Sequence, residues 1–263
     1  MEIGTVSTLS MVGMIVSLVI AVLLPIVLCV VVRKKTGAKF SSMLWGCATF
    51  ILFALILEQI LHMVVLKLTG TTLTENIWLY GLYGAAAAAV FEETGRVITM
   101  KFIMKKNLNR ENALMYGVGH GGIEAILIIG LAQISNIATA IMINTNQMEA
   151  VLSVLDETQK AATLESLSAL WTTPGYLFFM GGIERVSAII LHIALSILVY
   201  AGIKQGKKMI VVAAYAAHFA ADFVTVVAAD KLPVVAVEAV LFLMCILLGF
   251  VAARLYKKDG DTA

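Results

Sequence analysis

The residues of this sequence that could do chemistry are carboxylates, imidazoles and two arginines, and they lie inside long apolar segments. They are Glu92, Glu93, Arg96, His120, Glu124, Glu184, Arg185, His192, His218 and Asp222. An ionisable group inside a membrane costs several kcal/mol unless it is paired, solvated or close to an interface. So many in one small chain predict a polar interior, for which function is the default hypothesis and structural pairing is the alternative.

The depths of these residues also indicate one site. A helix rises about 1.5 Å per residue, so depth can be counted from the nearest basic residue that flanks each segment. The count places Glu92 and Glu93 at roughly 12–14 Å, His120 and His218 at about 15 Å, and His192 at about 18 Å. Four segments therefore bring carboxylates and imidazoles to nearly the same level.

Residues of these types can form a metal site. Zinc binds neutral imidazole nitrogens and carboxylate oxygens, and a catalytic zinc keeps one position for water. His120, His192 and His218 are the predicted ligands, each on a different segment. A carboxylate of the Glu92–Glu93 pair would act as the general base, which takes the proton of water and passes it to a leaving amine.

Three other charged residues belong to the same predicted site. Glu124 and Asp222 each lie four residues after one of the histidines, on the same helix face. Asp222 could orient its histidine. As an alternative to catalysis, Arg96 could simply pair with Glu92 or Glu93 along one helix, and a single histidine could be an interior packing residue.

Several protease classes are excluded by missing motifs. There is no HExxH, which excludes a zincin, and no Gly-x-Ser-x-Gly nucleophile elbow. Asp222 is the only aspartate within a predicted span, which argues against a two-aspartate protease.

The composition is that of a membrane protein. Hydrophobic residues make up 60% of the 263 residues and charged residues only 14%, too few charges to cover the surface of a soluble domain. No basic block suggests nucleic acid. The 3 cysteines lie in apolar runs without paired spacing, so we expect no disulfide framework and no cysteine metal site.

The apolar segments predict an all-α, polytopic helical bundle of about seven spans in a single transmembrane domain over residues 1–263. Each span needs about 20 mostly apolar residues. The predicted spans are Thr8–Val32, Ser41–Leu66, Ile77–Met100, Ala113–Ile143, Thr172–Ile203, Met209–Ala229 and Val234–Ala253.

Basic residues predict the orientation. Most of the 19 Lys and Arg residues fall in the first, third and fifth loops and the C-terminal tail, whereas the other loops hold only Lys67, Lys160 and Lys231. The positive-inside rule then puts the N-terminus outside and the C-terminus in the cytoplasm. With this orientation we expect the polar site to open to the cytoplasm.

One outer loop is unusual because it is polar and long. The segment 144–169 carries leucines at three-residue spacing, among them Leu152, Leu155, Leu164 and Leu167. This pattern predicts a short amphipathic helix on the outer surface.

Taken in order, the polar motifs resemble the YhfC family of bacterial membrane proteins, which are regarded as intramembrane metalloproteases. That family is similar to the type II CAAX-prenyl endopeptidase group, which includes the PrsW-type proteases and the Aph-type scaffolds. The matching pieces are Glu92-Glu93-Thr-Gly-Arg96, Gly119-His120-Gly-Gly-Ile-Glu124, Glu184-Arg185 followed by His192, and His218-Phe-Ala-Ala-Asp222.

The resemblance implies roles for these residues. Glu92 and Glu93 would activate water, and His218 with a second histidine would bind the metal. The second motif of the group reads FxxxH, but Tyr116 and Ala188 occupy the position four before the two other histidines. Which of these two is the equivalent ligand stays open.

We therefore expect a zinc-dependent intramembrane protease in the bacterial plasma membrane, acting on a peptide or membrane-protein substrate. Two alternatives come from other classes of protein. One is a non-catalytic scaffold or chaperone of the Aph type. The other is a proton- or cation-coupled transporter, because Glu, His and Asp chains also form relays within membranes.

Overall fold

The computed structural model describes residues 3–261, and these residues form helices and connecting loops without any strand. The eight longest helices are α1 (Thr8–Thr36), α2 (Phe40–Thr69), α3 (Ile77–Ile98), α4 (Arg110–Asn144), α5 (Glu157–Thr172), α6 (Met180–Lys204), α7 (Lys208–Ala229) and α8 (Val234–Asp261). The all-α membrane bundle predicted from the sequence is confirmed.

Short elements complete the chain. Three helices change to the wider π form, α2 over Ile51–Glu58, α4 over Ile126–Gly130, and α3 at its end over Thr99–Ile103. Short helices or 3₁₀ turns cover Thr72–Glu75, Lys105–Asn107, Gln147–Leu152 and Gly175–Phe179. π segments are often found at functional sites, and here one begins two residues after Glu124.

Six helices in the described residues are long and apolar enough to cross a membrane: α1, α2, α4, α6 with its preceding turn, α7 and α8. The predicted third span forms α3 but is not among them, because Glu92, Glu93 and Arg96 make it more polar. The chain is a multi-span membrane protein; the count of seven and the orientation remain predictions.

The helix α6 lies at the centre of the bundle. In its most apolar stretch 78% of the residues are buried, compared with 17–28% in the other five spans. It packs against α4, α7, α8 and α1, while α2 packs on α4 and α3 packs on α7. The exposed leucines, valines and isoleucines of the outer helices form the surface that lipid covers.

Helix ends are defined by local capping. The side chain of Asn109 accepts a hydrogen bond from Asn112 N at the start of α4, and Asn76 caps α3 in the same way. Asp156 and Gln159 form a reciprocal capping box at the start of α5. These side chains satisfy amide groups that have no partner within the helix.

Two glycines allow α2 and α4 to approach closely. A Cβ atom at Gly119 would collide with the carbonyl oxygen of Met43, and one at Gly46 with the carbonyl oxygen of Tyr116. Small residues serve this purpose in membrane helices. The close approach brings His120, next to Gly119, against α2.

The long polar loop contains the short helix Gln147–Leu152 and α5. Leu152 and Leu164 are buried there, and Leu155 and Leu167 pack partly buried beside them against the ends of α1 and α4. Asn144 links the start of this loop to the N-terminal segment. Its side chain accepts a hydrogen bond from the amide of Val6 and donates one to the carbonyl of Val6, each of 2.9 Å.

Candidate metal centre

Three side chains from three helices meet in the interior. Glu92 of α3, His192 of α6 and His218 of α7 each present one ligand atom, and these atoms all lie within 4.8 Å of one another. The three residues are buried, with 7%, 3% and 2% of their surface exposed. We call them the central triad. The sequence predicted all three as site residues, and the structure brings them together.

His120, the third predicted histidine, contacts one member of the triad. Its Nε2 atom lies 2.8 Å from Oε2 of Glu92, and its ring centroid is 4.7 Å from that of His192. An edge-on contact with Phe50 of α2 fixes the other side of the ring, at 5.4 Å between centroids. His120 is therefore placed to orient Glu92.

Glu93 faces a different partner from its neighbour Glu92. Its Oε1 atom lies 2.9 Å from Nδ1 of His218 and 3.5 Å from Nη2 of Arg96. Because Glu93 contacts Nδ1, the other ring nitrogen of His218, Nε2, is the one left to bind a metal. This Nε2 atom lies 3.5 Å from a carboxylate oxygen of Asp222, and Glu93 is then the carboxylate on the far nitrogen. A carboxylate on the far nitrogen of a histidine is the usual device that orients a metal-binding imidazole.

His192 has a partner on each ring nitrogen. Nη2 of Arg96 lies 3.1 Å from its Nδ1, and Nε2 lies 2.5 Å from Oε2 of Glu124. Because a guanidinium group only donates, Nδ1 accepts and the ring proton belongs on Nε2. A metal on His192 would replace either the hydrogen bond from Arg96 or this proton.

Arg185 extends the site beyond the triad. Its Nη1 donates to Oε1 of Glu124 at 2.8 Å, and its Nε donates to Oε2 of Glu184 at 3.1 Å, with a second contact from Nη2 to the same carboxylate. In the sequence, Glu184 and Arg185 are among the ionisable residues of the apolar segments, but neither of them has a role in the predicted site. The adjacent Glu-Arg pair in an apolar segment was the available signal.

A cavity of about 220 Å³ lies beside the triad. Its polar lining consists of Glu92, Glu124, Glu184, His192, His218, Asp222 and Thr225. Exposure of these side chains increases from 3–4% at the two histidines to 27% at Glu184 and 35% at Asp222. The mouth of the cavity is therefore beside Glu184 and Asp222.

In the orientation that the basic residues predict, this mouth faces away from the cytoplasm, whereas the sequence predicted a cytoplasmic opening. Glu184 is close to the start of α6 and Asp222 lies in the second half of α7, so both lead towards the loops that carry few basic residues. On the opposite side Met100, Tyr116 and Leu195 are fully buried and close the interior. The expected cytoplasmic opening thus finds no support in the lining of this cavity.

A second polar cluster lies apart from the triad. Nε2 of His62 is 3.1 Å from Oε1 of Glu58, and its Nδ1 is 2.7 Å from the hydroxyl of Tyr83. Each ring nitrogen of His62 has a partner inside this cluster, so Glu58, His62 and Tyr83 satisfy one another without contacting the triad.

The donor set of the triad is chemically suited to a metal. It offers two imidazoles and one carboxylate, the number and types of protein ligands found at catalytic zinc sites, with the cavity on the open side. Fold and site together define a multi-span helical membrane protein with a buried Glu/His/His group that could bind a metal.

Comparison with known proteins identifies the family. The family model described as "YhfC intramembrane metalloprotease" matches residues 20–243. A Bacillus subtilis (strain 168) protein described as "Uncharacterized membrane protein YhfC" is 39% identical over 193 residues, which cover 72% of this chain and 74% of the relative. The chain belongs to the YhfC family, as the resemblance of its polar motifs predicted. No solved structure matches it.

Proposed function

We propose that this chain is a metal-dependent protease that hydrolyses a peptide bond inside the membrane. The observation that carries the proposal is the central triad, whose three ligand atoms lie within 4.8 Å of one another beside a polar cavity. The description of its family supports the same activity.

Glu92, His192 and His218 would hold the metal, which we take to be zinc. Zinc supplies a Lewis acid that lowers the pKa of water and polarises a carbonyl group. Glu93 would position His218, and His120 would position Glu92, through the contacts of 2.9 Å and 2.8 Å. Arg96 contacts both the ring of His192 and the carboxylate of Glu93, and it would fix the positions of these two side chains relative to each other.

We assign proton transfer to Glu124. Its carboxylate lies on the cavity wall, with Oε1 held by Arg185 and Oε2 close to His192. Water adds to the carbonyl carbon, the carbon–nitrogen bond breaks, and the proton removed from water passes through Glu124 to the leaving amine. Asp222, near the mouth, would serve as a second acceptor on the same path.

The sequence-based alternative, in which Glu92 or Glu93 is the base, makes a different prediction. A ligand is needed for metal binding, whereas a base is needed only for turnover. Glu92→Gln should therefore lose the metal if Glu92 is a ligand and keep it if Glu92 is the base. Glu124→Gln should keep the metal and lose cleavage.

The first test is the metal content of detergent-purified protein by mass spectrometry. We expect about one metal ion per chain in the wild type and none in His192→Ala or His218→Ala. His62→Ala is the matched control, since this histidine belongs to the separate Glu58–His62–Tyr83 cluster. A well-folded wild type without metal, purified without chelator, would contradict the proposal.

The second test is proteolysis. Membranes of an expression host that makes the wild type, Glu124→Gln or His218→Ala at equal levels are compared by mass spectrometry of newly formed N-termini. We expect new termini within or beside membrane spans only with the wild type. Metal-loaded wild type that produces no such termini would favour the non-catalytic scaffold.

A further inference from the structure

A second, apolar cavity lies on the side of the bundle and shares one lining residue with the polar cavity. This groove, of about 330 Å³, lies between α7 and α8. Ala217, Ala220 and Ala221 form one wall, and Leu247 and Val251 stand on the other. Leu191 of α6 lines both this groove and the polar cavity beside the triad. A single side chain thus belongs to both spaces.

The groove faces lipid. Leu247 is 66% exposed and Val251 49% exposed on a helix that is apolar enough to span the membrane. Its residues are all alanine, valine, leucine or methionine, so it presents no group for water to solvate. The alanines on α7 leave a shallow surface that another helix can approach closely.

The depth of the triad selects the kind of molecule that can use this groove. His192 lies twelve residues from either end of α6, and His218 ten and eleven residues from the ends of α7. At 1.5 Å per residue the two histidines are about 15–18 Å from each end of their helices. This places them near the middle of a bilayer core about 30 Å thick. A loop from water that entered by this groove would find only apolar side chains, and its backbone groups would lack hydrogen-bond partners.

We infer that the groove between α7 and α8 is the docking site for a transmembrane helix of the protein substrate, and that Leu191 is the side chain past which the cleaved stretch enters. This inference rests on the proposed protease function. A helix in the bilayer already holds peptide bonds at the depth of the triad, with its backbone hydrogen bonds made internally.

The chemistry of the site adds a requirement on the substrate. In an intact helix each peptide carbonyl accepts a hydrogen bond from the amide four residues further on, and the side chains project around the backbone. A peptide bond in that state cannot be presented to ligand atoms that are themselves buried. The substrate helix therefore stays in the groove, and only an unwound stretch reaches the triad. Substrates should carry glycine, proline or another helix-weakening residue next to the cleaved bond.

The experiment fills the groove and measures cleavage. Ala220→Phe places a ring in the groove, while Ala216→Phe places the same ring on the exposed surface of α7 outside it. We expect Ala220→Phe to reduce the new membrane-protein N-termini at least tenfold, while Ala216→Phe leaves them unchanged. Both variants should bind the metal as the wild type does, which shows that the site itself is intact.

A second readout does not depend on turnover. A photo-crosslinking amino acid is placed at Leu247 in the groove or at Phe250 outside it, both 66% exposed, in the Glu124→Gln background. We expect Leu247 to crosslink the membrane proteins that the cleavage experiment identifies, and Phe250 to give at most a tenth of that yield.

The outcomes separate the two proposals. Wild-type cleavage that Ala220→Phe leaves intact, or equal crosslinking from both positions, would overturn the docking site and leave the protease proposal standing. A wild type that produces no new termini would overturn both.

Discussion

Nε2 of His120 lies 2.8 Å from Oε2 of Glu92, and this contact joins α4 to α3 in the buried centre of the bundle. The two residues are separated by 28 positions in the chain. His120 was one of three predicted ligands, yet the group whose ligand atoms converge consists of Glu92, His192 and His218. His120 thus lies beside the triad, in contact with one of its members.

His120→Ala should retain a metal site of lower affinity. Loss of a residue that orients a ligand typically weakens metal binding 10–100-fold. We expect about one metal per chain at saturating zinc, with the dissociation constant raised by about that factor, whereas His218→Ala binds none. Competition with a chromogenic chelator measures the affinity. Complete loss of metal in His120→Ala would instead make His120 a ligand.

Arg185→Ala should destabilise the protein strongly. Arg185 is 5% exposed and pairs with both Glu124 and Glu184, so its removal leaves two carboxylates without their cation. Breaking a buried pair costs about 3–5 kcal/mol, and we expect the midpoint of thermal unfolding in detergent to fall by roughly 6–20 °C. Arg254→Ala, which removes an exposed arginine, is the control and should change little.

The triple variant Arg185→Met, Glu124→Gln and Glu184→Gln tests the reason for this effect. It removes the charges together, so the unfolding midpoint should recover much of the loss. If the triple variant is as unstable as Arg185→Ala, lost packing rather than unpaired charge explains the destabilisation.

Gly119→Ala should lower stability, and Gly84→Ala should not. A Cβ at Gly119 would meet the backbone of α2, which cannot move aside, while a Cβ at Gly84 has nothing within 4 Å. Overpacking costs about 1–3 kcal/mol, whereas Gly to Ala in a helix gains up to about 1 kcal/mol. Thermal unfolding compares the two variants. Equal unfolding midpoints would show that α2 and α4 have room for a methyl group at this contact.

The position of the cavity mouth can be tested by cysteine labelling. In a background without Cys29, Cys47 and Cys245, Asp222→Cys should react with a membrane-impermeant maleimide added outside intact cells. Ala214→Cys, fully buried on the same helix, is the control and should stay unlabelled.

Two loop positions report the orientation in the same assay. Lys231→Cys should react from outside, and Lys207→Cys only after permeabilisation, as the positive-inside rule predicts. If Asp222→Cys and Lys231→Cys both react only after permeabilisation, the predicted orientation is wrong. If only Asp222→Cys does, the mouth opens towards the cytoplasm.

The class of protein could be predicted from the sequence because the two quantities that define it, the length of apolar runs and the depth of a residue in a helix, are obtained by counting residues along the chain. Apolar run length indicates how many helices can cross a bilayer core, and the rise of 1.5 Å per residue converts position into depth. That depth count correctly brought Glu92, His192 and His218 to one level, and the ordered motifs correctly indicated the family.

Rotation and packing of the helices could not be predicted in this way. Depth does not say which way a side chain points around the helix axis, so only the tertiary structure separates His120 from the central triad. The same holds for the contact of Arg185 with Glu124, 61 residues away, and for the mouth at Asp222. These features depend on contacts between helices, which close-packed glycines and paired charges create and which no spacing along a single helix encodes.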